Sequence, residues 1–127
     1  MTPLEWIALH FDRVSPWIQA ALDREPVKTH TLEHVRAYLD DGKCQLWPTA
    51  NSVTITEIIE YPTGAKVMHH WLAGGDLDEI VQTNANLETF AREHGCVGVE
   101  IKARRGWLPV MKDNGFRPVG THFWKDL

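Results

Sequence analysis

The stretch HHWLAGGDLDEIVQTNANLETFAREHGC, residues 69–96, decides the fold. An apolar run ends at Gly74-Gly75, and an amphipathic helix follows at once. Asp76 reads as its N-cap, with Glu79 three residues later completing an acidic form of the capping box. Leu77, Ile80, Val81, Leu87, Phe90 and Ala91 recur at helical spacing, and Gly95 stops the helix. The next residues, CVGVEIKA (96–103), set Val97, Val99 and Ile101 on one side of a strand. A strand, a glycine turn and a helix is the layout that seats a phosphate on backbone N–H groups. Here Asp76, Asp78 and Glu79 put three carboxylates where that anion would lie.

Working outward, the period changes twice. Upstream, KCQLW (43–47) is a short strand closed by Pro48. SVTITEIIEY (52–61) is a second, ended by PTG, and AKVMHHWLA (65–73) is a third. The short turns between them predict an antiparallel meander. The first 42 residues read as helical, with Leu4, Ile7, Ala8 and Phe11 on one stripe. Ser15-Pro16 reads as a cap and first-turn proline that restarts the chain. A further restart at Thr31 carries Leu32, Val35 and Leu39 to a stop at Gly42. Downstream, GWLPVMKDNG (106–115) is a short helix with Pro109 in its first turn, and FRPVGTHFWKDL (116–127) is a closing extended segment. The expectation is one α+β domain over residues 1–127: N-terminal helices, a three-strand meander, then β-α-β-α-β in a mixed sheet.

Composition narrows the function classes. With 24% charged and 43% hydrophobic residues, the chain belongs with folded globular proteins rather than disordered ones. A net charge of −4, with no basic cluster beyond Arg104-Arg105, makes no case for nucleic acid. Cys44 and Cys96 read as buried free thiols of a reducing compartment. The seven histidines show no metal spacing, since His30 and His34 lack further ligands nearby. No apolar stretch approaches the roughly 20 residues that span a bilayer, and MTPLEWIALHFDRV has no signal-like apolar core. Six tryptophans are many for this length and point to a protein partner or a homo-oligomer, with Trp107, Trp124, Arg104 and Arg105 as the expected contact residues.

The order of elements resembles the GCN5-related N-acetyltransferase (GNAT) fold. The likeness is carried by AKVMHHWLA, the helix from Leu77, CVGVEIKA and the block RRGWLPVMKDNGFRPVG, in which Trp107, Gly115 and Phe116 take the family's aromatic and "GF" places. The short strings WLAGG and RRGW also resemble small GNAT-like proteins of tailed bacteriophages. In active members the loop before the helix has the form Q/R-x-x-G-x-G/A and holds the coenzyme A diphosphate. Here Ala73, Gly74, Gly75, Asp76 and Leu77 stand in that place, without the cationic or amide residue and with adjacent glycines. The resemblance implies a general base from the sheet, for which Glu57, Glu60 and His70 are the candidates. It also implies a tyrosine acid near the last helix, but only Tyr38 and Tyr61 occur, and Met111 or a neighbour fills that position. Off-pattern loop and missing acid together lead to the expectation of a non-catalytic GNAT-fold protein. It would be a structural or accessory component of a phage particle or its assembly, without cofactor and located in the host cytoplasm or the particle. The alternative is an acetyl-CoA-dependent N-acetyltransferase with an atypical loop.

Overall fold

A computed structural model describes residues 1–127. Helix α1 (Pro3–Asp23) opens with a complete capping box between Thr2 and Glu5. It runs unbroken through Pro16, against the expected restart. Proline removes the N–H that would bond the Asp12 carbonyl, and the Ser15 hydroxyl donates to that carbonyl instead, at 2.9 Å. Helix α2 (Leu32–Asp40) begins at Thr31, whose backbone N–H donates to His34 Nδ1 at 3.0 Å. It ends in a Schellman turn, with Gly42 N–H on the Leu39 carbonyl, Lys43 N–H on that of Tyr38, and Gly42 at φ +74.

The meander follows as β1 (Cys44–Pro48), β2 (Ser52–Glu60) and β3 (Lys66–Gly75), each antiparallel to the last. Helix α3 (Leu77–Glu93) crosses to β4 (Cys96–Ile101), which lies parallel to β3. The sheet order is β1-β2-β3-β4. A 3-10 turn (Arg105–Trp107) leads into α4 (Leu108–Asp113). The mixed α/β architecture is the one expected, except at its end. Residues 116–127 form no strand, and Val119 and Phe123 are about four-fifths exposed.

The helices take opposite faces. α1 and α2 cover one, burying a 13-residue apolar cluster that includes Val14, Ile18, Val35, Leu39, Val53 and Ile55. α3 covers the other, where Met68, Leu87 and Ala91 form a smaller cluster against Trp47, Ile58 and Phe90. Strand alternation assigns the buried polar side chains of the sheet, Ser52, Thr54, Thr56 and His70, to this second face, beneath Thr83 and Asn84 of α3.

Candidate functional site

The parallel pairing of β3 with β4 stops at His70 opposite Ile101. One residue later β3 carries a bulge: Ile55 pairs with Leu72 and Thr56 with His70, so Trp71 is the extra residue. A bulge bends its strand and leaves a residue out of the ladder. Beyond this fork, Trp71–Gly75 keeps β2 on one side and nothing on the other. The bulge also shifts the alternation. Trp71 and Leu72 both pack on the α1/α2 face, while His70 stays on the α3 face.

The open edge runs into the N-terminus of α3, and the two glycines there are fixed by packing. A Cβ on Gly74 would lie 2.6 Å from the Trp17 carbonyl oxygen of α1. One on Gly75 would lie 2.3 Å from the Asn51 carbonyl oxygen, and Gly75 has φ +98. Asp76 caps the helix, its Oδ1 accepting from the Glu79 N–H at 3.1 Å. The capping box stays half made. Glu79 turns instead to the β1–β2 turn, accepting from the Asn51 N–H at 3.0 Å, while the Asp76 N–H donates to the Asn51 carbonyl at 2.9 Å. Arg13 holds the same turn from α1 by donating to the Thr49 and Ala50 carbonyls. Two of the three carboxylates are therefore committed to structure. The N–H groups of Leu77 and Asp78 have no partner within the chain. Asp78 is exposed and makes no ion pair.

Among the candidate bases, the structure brings only His70 to the fork. It is 8% exposed, and neither ring nitrogen has a hydrogen-bond partner. Burial pushes its pKa down from 6.5 to about 4, so the ring is neutral at pH 7. Thr54, whose hydroxyl is also buried without a partner, lies on the same face, opposite Ala73. Glu57 pairs in register with Cys44 and His69, and Glu60 with Lys66 at the far end of the sheet. Both glutamates lie away from the fork, Glu57 on the opposite face from His70. His69 also takes the opposite face, 3.7 Å from Glu100 and 3.3 Å from the Tyr61 hydroxyl. Cys44 is no nucleophile: burial, then the neighbouring Glu57, push its thiol up to about 12, with Lys43 opposing.

Two features of the site were out of reach of the sequence. The phenol absent from residues 107–116 arrives from α2, where Tyr38 packs on Trp71 with ring centroids 6.0 Å apart. His30 completes a triangle of rings with them, 4.9 Å from Trp71 and 5.6 Å from Tyr38. The cation absent from the loop arrives from the end of α1. Arg24 Nη1 makes a long contact, 3.5 Å, to the Ala73 carbonyl on the open edge of β3. Burial, then repulsion from Arg104, hold the Arg24 pKa below its ordinary value. Arg104 itself lies over the Trp107 ring, 5.7 Å from its centroid. Of the other expected contact residues, Arg105 is exposed and Trp124 is 54% exposed, its Nε1 donating to Asp126.

Two surface hollows lie elsewhere. One of about 870 Å³ follows the free edge of β1, between Trp6 and Phe90. One of about 260 Å³ lies between α3, the start of β4 and Phe116. No helix is long and apolar enough to cross a membrane.

No protein-family model matches the chain, and no curated protein sequence is significantly similar to it. Solved structures are similar over nearly their whole length. An acetyltransferase of Trypanosoma brucei superposes with a TM-score of 0.65 at 16% identity, covering 99% of this chain and 96% of that one. Glucosamine-6-phosphate N-acetyltransferase of Arabidopsis thaliana gives 0.65 at 10% identity, with 93% and 92% covered. A predicted acetyltransferase of Clostridium acetobutylicum, solved with acetyl-CoA, gives 0.64 at 14% identity, with 99% and 92% covered. At such identities the likeness speaks for the fold, and the chain has the fold of the GCN5-related N-acetyltransferases.

Proposed function

We propose that this chain is an acyl-CoA-dependent N-acyltransferase whose site is the fork between β3 and β4. The observation that carries this reading is the open edge Trp71–Gly75, which begins at a bulge and ends at a helix N-terminus with the Leu77 and Asp78 N–H groups unclaimed. The residues fit the coenzyme. Paired free amides at a positive helix end suit a diphosphate, and Arg24 adds a cation at the Ala73 carbonyl of the open edge. When bound, acetyl-CoA supplies a thioester whose carbonyl carbon an amine attacks and whose sulfur leaves. The solved likeness that holds acetyl-CoA supports the choice of coenzyme.

The protein's own tasks follow from the geometry. The unpaired backbone of β3 offers hydrogen bonds to an extended ligand arm, as an edge strand does to an added strand. The bulge turns backbone polar groups at Trp71 out of the ladder, in position to stabilise developing oxyanion charge. His70 is neutral and its ring nitrogens make no hydrogen bond, so one of them can take up the proton of the amine. Tyr38 is the phenol nearest the bulge, able to return a proton to the leaving thiolate.

The second reading is a non-catalytic component of a phage particle or its assembly, cytoplasmic in the host or carried in the particle. It draws on the Asp76 cap, which claims one helix amide, on the free charge of Asp78, and on the exposed Trp124. The test is thermal stability with and without acetyl-CoA. Ligand at 100 times its Kd adds about 2.7 kcal/mol. No shift, with a stable complex of several copies on size-exclusion chromatography, favours the second reading. Asp76→Asn keeps a good cap but removes its charge, so it leaves stability within about 0.5 kcal/mol and tightens acetyl-CoA binding several-fold.

A further inference from the structure

Strand β1 is an edge of the sheet, and the groups it turns outward follow from the turn beside it. The Thr49 N–H donates to the Ser52 carbonyl at 3.0 Å, which closes the β1–β2 turn with a hydrogen-bonded pair. Bonded and non-bonded pairs alternate along an antiparallel ladder. In the register of β1 on β2, Trp47–Thr54 and Gln45–Thr56 are then the bonded pairs, while Cys44, Leu46 and Pro48 turn their backbone groups away from β2. Pro48 has no N–H to present. The N–H and C=O groups of Cys44 and Leu46 face the open edge, and no turn, loop or cap bond claims them. Such an edge is a template for one more strand.

This edge is also walled. It forms the floor of the hollow of about 870 Å³, with Trp6 and Ile7 of α1 on one side of the sheet and Trp47, Phe90 and His94 on the other. The Trp47 and Phe90 rings lie 5.6 Å apart, and His94 stacks 4.0 Å from Phe90. A strand laid on this floor must be apolar on both of its sides. Residues 121–126, THFWKD, meet that requirement, because Phe123 and Trp124 are adjacent and point opposite ways in an extended chain. Both are exposed, and the segment makes no backbone hydrogen bond. The Trp124 indole N–H reaches Asp126, two residues on, as same-side neighbours of an extended chain do. Lys43, Lys66 and Glu57 of the hollow are opposite in sign to Asp126 and Lys125.

The chain's own tail starts at the wrong edge. Phe116 lies beside the start of β4, about 14 Å across the sheet from β1 at the usual strand spacing. Between the two edges α3 covers one face and α1 the other. We propose that residues 121–126 of a second copy add as a strand to the β1 edge, the tails being exchanged reciprocally in a dimer. At about 150–250 Å² for each Phe and Trp, the two aromatic pairs would bury about 600–1,000 Å². The groove walls would bury a similar area, which together reaches the roughly 1,200–2,000 Å² of a stable interface. The proposal does not depend on the acyltransferase reading.

Sedimentation of the full chain at micromolar to submillimolar concentration is expected to show a dimer that dissociates on dilution. The double variant Phe123→Ser, Trp124→Ser leaves the buried core untouched and should sediment as a monomer with the circular dichroism of the wild type. The synthetic peptide THFWKDL, titrated into that variant, should shift the Cys44 and Leu46 amide resonances and saturate. The same peptide with serine at both aromatic positions should not. A wild type that stays monomeric, a dimer that survives the double substitution, or peptide shifts on β4 instead of β1 would each overturn the proposal.

Discussion

The two faces of the sheet are built on opposite rules. Beneath α1 and α2 lie 13 buried residues, all hydrophobic, among them six at no more than 2% exposure: Val14, Ile18, Val35, Leu39, Val53 and Ile55. On the α3 side lie a cluster of three buried apolar residues, the separate Ile80, and all six buried polar ones: Ser52, Thr54, Thr56, His70, Thr83 and Asn84. The first face is a dry core that holds the fold. The second leaves the Thr54 hydroxyl and both His70 nitrogens without partners, beside the place where the sheet opens. Buried polar groups without partners are rare and costly in a purely structural core. Their concentration on one side separates the part of the molecule that provides stability from the part fitted for chemistry.

This contrast can be broken experimentally. The largest effect is expected on the dry face, where Ile18→Ala should cost about 2–5 kcal/mol in chemical denaturation. A loss well under 1 kcal/mol there would mean that the α1/α2 core is looser than its burial implies.

The next effect concerns His70 and appears only with pH. The folded ring takes a proton near pH 4, the unfolded one near 6.5. Between those values the unfolded state binds more protons, so stability is full above about 6.5 and declines as pH falls to 4. The total is about 3 kcal/mol. Denaturation curves across that range for the wild type and His70→Leu should diverge by this amount. Parallel curves would show that the ring is protonated or partnered in the fold.

Smallest is Thr54→Val. It replaces an unpaired buried hydroxyl by a methyl group, so it should be neutral or stabilising by about 1 kcal/mol. The same exchange at Thr56 should be destabilising, because its hydroxyl accepts from Trp47 and donates to Gln45.

Local sequence signals carried much of the fold. The 3.6-residue stripe of α3, the Thr31 and Asp76 caps, the Gly42 stop and the β-branched run of β2 all act over a few residues, and the elements form where those signals lie. Three readings failed because the deciding partner was not local to the motif. Pro16 leaves α1 intact because Ser15 bonds the Asp12 carbonyl. Glu79 abandons the capping box because folding brings Asn51 to it from 28 residues away. The tail from Phe116 has a strand-like composition but pairs with no strand. The site was legible only in outline. His70 and the glycine turn stand in the sequence, whereas Arg24, Tyr38 and the bulge at Trp71 become visible only when α1, α2 and β3 meet. Residues 73–79 alone carry three carboxylates and no cation, whereas the folded turn gains Arg24 from the end of α1.

The most direct test of the central claim is a titration of acetyl-CoA followed by backbone amide resonances. The account predicts saturable shifts that run along the open edge from Trp71 through Leu77 and Asp78 and onto Ile101 to Arg104. Absence of binding at millimolar ligand, or shifts confined to the hollow along β1, would contradict it.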